Sequence, residues 1–276
     1  MKKILSVLMA LGMTFSLAAC AGSTSSSSEA ASESASASSA VESEAVSSEA
    51  ATSEAAASGT VLSHEEYMAA DLDTEVTIEA YVQAKQSWYA EQATATVYLQ
   101  DQDGAYFAYD MACSEEDYDK LTPGTCIRVT GYKSEWSGEV EITDGTFEFV
   151  DGADTFVAEP LDVTELLGSD ELIDHQNELV SFKGLTVEPS TDANGAEAAF
   201  LYNYDGSGTD GDDLYFNASY NGQTYTFTIE SYLCDNTTEV YQAVKNLQVG
   251  QTIDMEGFLY WYEGVNPHIT SVTVTG

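Results

Sequence analysis

The chain runs to 276 residues and carries 47 acidic against 8 basic side chains, a formal net charge of −39. Such a surface repels phosphate polymers and anionic lipid, which excludes capture of either by counterion release over the bulk of the protein. With 43% hydrophobic and 11% aromatic residues, it still holds enough apolar surface for two small cores.

The chain opens on an address. Lys2 and Lys3 precede an apolar stretch from Ile4 to Leu17, closed by Ala18, Ala19 and Cys20. A charged start, a short apolar core and small residues before a cleavage point describe a secretory signal, too short for a stable membrane span. Leu17-Ala-Ala-Cys20 resembles the bacterial lipoprotein lipobox. That resemblance implies a signal peptide over residues 1–19, a diacylglyceryl group on Cys20, and a mature protein lipid-anchored on the extracytoplasmic face of the cell membrane. An ordinary signal peptide with a chance cysteine is the plainer alternative. Two acyl chains are what stable attachment to a bilayer requires. Residues 20–59 are rich in Ser, Ala and Glu and have no aromatic side chain, so they cannot bury enough surface to offset ordering. They read as a disordered tether, with a transient Ala/Glu helix disfavoured by the dense serines.

From residue 60 the pattern is that of strands. Val76, Ile78, Ala80 and Val82 alternate with polar or larger neighbours, a period of two. Val97 and Leu99 lie on a second strand, and Phe107, Tyr109 and Met111 on a third, with Asp103-Gly104 at the turn. Hydrophobic matching predicts a three-residue loop, Gln102 to Gly104, with Gly104 at a positive-φ bulge; Tyr98 and Tyr106 then point outward. Ser114 to Lys120 reads as a capped helix start with an acidic first turn. Ile127 and Val129 face inward on a fourth strand that bends at Gly131, and Val140 and Ile142 on a fifth. Phe147 and Phe149 suit an added edge strand.

The second half repeats the order. Leu179–Leu185 is its first strand, Leu214–Ala218 its second and Tyr225–Ile229 its third. Asn221-Gly222 predicts a two-residue hairpin aligning Leu214, Phe216 and Ala218 with Ile229, Phe227 and Tyr225. Thr237 to Leu247 is the helix and Ile253 to Phe258 the fourth strand. Pro189 to Asp213 forms a long connection without counterpart in the first half. Leu121-x-x-Gly124-x-x-Ile127-x-x-x-Gly131-Tyr132-x-x-x-Trp136-x-Gly138 recurs, without a gap, as Leu247-x-x-Gly250-x-x-Ile253-x-x-x-Gly257-Phe258-x-x-x-Tyr262-x-Gly264. One β unit is therefore used twice, at residues 60–157 and 158–276.

A helix between strands three and four, and a glycine-punctuated fourth strand, resemble the OB-fold, a five-stranded Greek-key barrel. Val97 to Phe107 looks like strands two and three of bacterial OB modules related to the tRNA-anticodon-binding type. The whole chain resembles uncharacterised acidic lipoproteins of Clostridia-like gut bacteria. The expected fold is thus mostly β, two tandem five-stranded OB-fold-like barrels after a disordered linker; one large β-sandwich is the alternative architecture.

OB-folds bind through the outer face of strands two and three and the loops joining strands 1–2 and 4–5. The resemblance then places Trp88, Tyr98, Tyr106 and Trp136 at the binding mouth of the first barrel. In the second it places Tyr202 and Tyr204 in the long loop, Tyr215 on the strand face, and Trp261 and Tyr262 in the 4–5 loop. Flat rings gathered at a barrel mouth make a stacking platform. The same rings would equally cover barrel ends or the seam between domains. The expected function is a non-enzymatic binding module for a neutral or cationic ligand, whether a small molecule, glycan, peptide or envelope protein. The alternative is capture of single-stranded nucleic acid, for which Lys85 and Lys133 lie near the first-barrel loops. The charge balance makes that partner less expected.

No catalytic residue, cofactor or metal is expected. His64, His175 and His268 show no zinc-ligand spacing, and the only glycine-rich loop, Gly206 to Gly211, lacks a phosphate-loop lysine. Asp205, Asp210, Asp212 and Asp213 form a weak calcium candidate, with a solvated insertion the simpler reading. Cys113 and Cys126 bracket the first helix and are a candidate disulfide in an exported protein, free thiols being the alternative; Cys234 has no evident partner.

Overall fold

A computed structural model describes residues 59–276 of the protein. The expected signal peptide, the acylated Cys20 and the tether lie outside the described residues. Ser63 starts the first element. Its hydroxyl accepts from Glu66 N while the Glu66 carboxylate accepts from Ser63 N, a reciprocal cap that opens α1 (His64–Ala69). Through Tyr67 this helix enters the first core, where the ring meets Tyr106 edge-on at 5.1 Å.

The first barrel follows as β1 (Glu75–Lys85), β2 (Thr94–Gln100), β3 (Ala105–Ala112), α2 (Glu115–Tyr118), β4 (Cys126–Trp136) and β5 (Glu139–Phe149). Strands pair in the order β1-β2-β3-β5-β4, and the β1–β4 ladder closes the ring. Val76, Ile78, Ala80 and Val82 fill it from β1, and Ile127 and Val129 from β4, as their alternation predicts. Ser114 caps α2 by accepting from Asp117 N.

The second unit begins with β6 (Leu161–Asp162), then two 3-10 turns, Thr164–Leu166 and Asp170–His175, before β7 (Leu179–Glu188). The long connection holds a small hairpin, β8 (Ser190–Thr191) with β9 (Glu197–Ala198), and β10 (Leu201–Tyr202). Next come β11 (Leu214–Tyr220), β12 (Gln223–Ile229), α3 (Glu239–Lys245), β13 (Thr252–Phe258) and β14 (His268–Val274). Pairing of β11 with β7 closes the second five-stranded barrel. Tyr220 pairs with Gln223 across Asn221-Gly222, and Leu214, Phe216 and Ala218 meet the partners their hydrophobic matching predicts.

The repeat holds down to single hydrogen bonds. Gly124 N donates to Val82 O at 2.8 Å, and Gly250 N to Val187 O at 2.8 Å. Both glycines sit at positive φ, 86° and 90°, which a side chain would strain. Gly131 and Gly257 mark matching register shifts in β4 and β13. A Cβ at Gly257 would meet His268 O at 2.2 Å, and one at Gly131 would meet Thr143 O at 2.7 Å, so the barrel corners close only on glycine.

Three expectations are corrected. In the β2–β3 hairpin Gln100 pairs with Ala105 and Leu99 with Tyr106, a four-residue loop rather than three, because Tyr106 rather than Phe107 belongs to the barrel interior. Gly104 is not at positive φ there; it is needed because a Cβ would meet the His64 ring at 2.3 Å. Phe147 and Phe149 do not form a separate edge strand but continue β5 past Gly145, pairing with Val129 and Ile127. No disulfide joins Cys113 and Cys126: both are buried free thiols, as is Cys234, and Cys113 Sγ donates to Ser114 O at 3.4 Å.

Candidate functional site

Most of the outer face of β2 and β3 is not an open binding surface. It packs on the second barrel. Tyr98 stacks on Phe258 at 4.3 Å, Phe107 meets Tyr260 edge-on at 5.3 Å, and the Tyr98 hydroxyl lies 2.6 Å from His268 Nδ1. Tyr98 is therefore fully buried as a seam residue. Tyr106 is also fully buried, but inside the first barrel, where its hydroxyl donates to Asp101 Oδ2. Neither offers a ring to a ligand. A period of two says which residues share a face; it does not say what covers that face.

Polar groups complete the seam. Gln176 Nε2 donates to Gly138 O at 2.8 Å and to Glu139 Oε2 at 3.2 Å, and Trp261 N donates to the same carboxylate oxygen at 2.9 Å. Leu179 N donates to Gln100 Oε1, and Ser87 N to Tyr232 O at 2.7 Å. Glu139 Oε1 has no partner among the described residues, nor has the neighbouring Asn177 Oδ1. Burial pushes the Glu139 carboxyl up to about 8, against the pull of the hydrogen bonds it accepts.

Beside this seam opens a cleft of about 570 Å³ with walls from both barrels. Trp88 and Tyr89 enter it from the β1–β2 loop, Tyr109 from β3 and Trp136 from the end of β4. The second barrel contributes Tyr215 from β11, Tyr232 from the turn after β12, and Tyr260 and Tyr262 from the β13–β14 loop. Trp136 and Tyr262, equivalent positions of the repeat, line one and the same cleft. Tyr89, Tyr109, Trp136, Tyr232 and Tyr262 are 43–67% exposed. Among the described residues only Tyr132 and Tyr204 are other exposed aromatics, and Tyr204 lines an adjoining hollow that shares Tyr215 and Tyr262.

The charge of the cleft is one-sided. Asp110 and Glu230 reach it, one from each barrel, and no lysine or arginine does. Glu230 accepts from Tyr232 N at 3.0 Å and Leu233 N at 2.8 Å, and burial pushes its carboxyl up to about 7. Glu141, near Asp110, is raised to about 7, by burial first and then by that neighbour. His268 is held down to about 3 by burial, so its ring is neutral at physiological pH.

Of the rings expected at the barrel mouths, Trp88, Trp136, Tyr215 and Tyr262 meet in the cleft. Tyr202 instead packs against Phe200 and the second core, and Trp261 lies over Gly138 at the seam. Hydrophobic matching seats Tyr109 on the inward face of the third strand, although it is exposed in the cleft, and passes over Tyr260 and Tyr232. Tyr260 stands next to Trp261, a predicted site residue, and has a legible signal; Tyr232 has none. The two lysines are spent internally. Lys133 Nζ, in a side chain only 5% exposed, donates to Met68 O and Ala70 O, and Lys85 Nζ donates to Tyr118 O and sits over that ring. The acidic loop does not converge: Asp210 pairs with Lys245, Asp212 with Thr209, Asp213 with Ser231 and Asp205 with Ser207.

No protein-family model and no curated protein matches the sequence. Solved structures with some likeness include the Ifi202 HINa domain in complex with 20bp dsDNA, at 12% identity and TM-score 0.34 over 74% of this chain and 96% of that one. A replication protein A heterotrimer bound to ssDNA gives 14% and 0.27 over 73% and 49%, and the hypothetical protein ygiW from E. coli 19% and 0.25 over 34% and 94%. The barrel fold rests on the strand pairing described above. The bound DNA belongs to those proteins; at 12–19% identity such likeness carries no ligand across to this chain.

Proposed function

We propose that this protein is a non-enzymatic binding module whose ligand lies in the cleft between the barrels, and that acylated Cys20 tethers it to the outer face of the cell membrane. One observation supports the reading above all: most exposed rings of the described residues, from two barrels, gather at one concave site. Ring faces in a cavity of this size suit a small neutral or cationic ligand, a sugar ring or a peptide side chain.

Single-stranded nucleic acid is the competing ligand class, and it too would stack on these rings. The commitment of Lys85 and Lys133 to backbone carbonyls, and the carboxylates in the cleft, weigh against it. An array of glycans, small cations, peptides and oligonucleotides probed with the full chain is the test. The expected hit loses at least tenfold in affinity on Trp136→Ala and changes little between low and moderate salt. Binding indifferent to Trp136→Ala overturns the placement in the cleft, and a steep loss with salt moves the ligand to the nucleic-acid class.

A further inference from the structure

Three features of the cleft narrow its ligand beyond a class of stacking partners. The first is the supply of ring faces from both barrels. The second is the carboxylates facing those rings with no cation among the lining residues. The Asp110 backbone is held at φ 47° within β3, where the β2–β3 register shifts. That conformation is pinned: Asp110 N donates to Thr96 Oγ1 at 3.1 Å and Thr94 Oγ1 to Asp110 Oδ1 at 3.2 Å. A strained, anchored residue at a cavity wall is where folds place functional side chains.

The third feature is that part of the polar lining of the cleft is already in use. Trp88 Nε1 donates to Cys113 O at 3.0 Å, and Thr228 Oγ1 donates to Asn266 Oδ1 at 2.7 Å. Ser87 Oγ donates to Tyr232 O, His268 Nδ1 is matched to Tyr98, and Glu230 takes two backbone N–H groups. What the cleft offers a cation is ring faces and carboxylates, with no lysine or arginine among the lining residues to oppose it. A primary ammonium is a compact, strongly hydrated charge that gives up its water reluctantly to ring faces. A quaternary ammonium has no N–H proton to donate, is weakly hydrated, and is attracted by the negative faces of rings and by carboxylates beside them.

We infer that the cleft between the barrels selects a quaternary ammonium group, caged by rings such as Trp136, Tyr232 and Tyr262 and balanced by Asp110 and Glu230. This rests on the cleft being the binding site, and the experiment separates the two claims. Titration calorimetry on the full chain uses choline, tetramethylammonium, and the uncharged isostere of choline in which a tert-butyl carbon replaces the nitrogen. The expected result is choline binding at least tenfold tighter than the isostere, weakened at least tenfold by Glu230→Gln and by Trp136→Ala. Because Glu230→Gln also loses one of two backbone N–H bonds, its melting temperature is recorded alongside. Asp110→Asn, whose amide oxygen can keep the bond from Thr94 Oγ1, reads the same charge without that loss. Choline binding unchanged in Asp110→Asn and in a folded Glu230→Gln overturns the charge balance. No choline binding, or equal binding of choline and its isostere, overturns the ammonium assignment. If a glycan or oligonucleotide instead binds and is lost on Trp136→Ala, the cleft stands and the assignment falls. Choline binding that survives both Trp136→Ala and Tyr262→Ala overturns both.

Discussion

At the scale of single residues, the carboxyl of Glu139 governs how the seam responds to pH. It lies wholly buried, one oxygen accepting from Trp261 N and Gln176 Nε2 and the other without a partner among the described residues. The folded carboxyl is raised to about 8, whereas in the unfolded chain it ionises near ~4.3. Between those values the folded state holds a proton that the unfolded state has released, so stability falls as pH rises through that window. Glu139→Gln should therefore denature at a higher midpoint than the parent at pH 8 and at a similar one near pH 5; identical pH slopes for the two chains would refute this. Gly257→Ala belongs to the same scale. The added Cβ would meet His268 O at 2.2 Å, backbone that has nowhere to go, so a loss above about 2 kcal/mol is expected in urea denaturation. A cost below about 0.5 kcal/mol would mean the barrel corner is not the close contact described.

At the scale of elements, much of the fold was legible because strands advertise themselves twice, by alternation and by turn chemistry. The Asn221-Gly222 hairpin follows from its loop residues alone, and the duplicated glycines of β4 and β13 report the barrel corners. The β2–β3 hairpin was misread for a physical reason. Tyr106 and Phe107 are both aromatic and adjacent, so hydrophobic matching could seat either one inside; the tie is broken by Tyr67 of α1, which packs on Tyr106. That short helix had its own signal in Ser63 and Glu66, overlooked because one turn and a half carries little periodicity. Removing that packing should therefore be felt in the strand hairpin. Tyr67→Ala deletes a buried ring from the core and is expected to cost about 3–5 kcal/mol, with amide exchange in β3 accelerating; unchanged protection there would separate α1 from the barrel.

At the scale of the whole molecule, the site was only half legible. Ring-rich loops could be read from the sequence, and four of the expected aromatics do meet: Trp88, Trp136, Tyr215 and Tyr262. That they meet across two barrels, in one cleft, follows from the seam of Tyr98, Phe107 and Phe258, which no local pattern encodes. The seam also implies that the barrels are not independent. With Tyr98 stacked on Phe258 and Glu139 bonded to Trp261, a single cooperative transition is expected on heating, whereas two resolved transitions would contradict the packing. The central claim is that two copies of one barrel build one site. Binding stoichiometry tests it most directly, by calorimetric titration of the parent, Trp136→Ala and Tyr262→Ala chains with one common ligand. One ligand per chain, weakened at least tenfold by each substitution alone, is the predicted result; two ligands per chain, or a substitution in either barrel without effect, would contradict it.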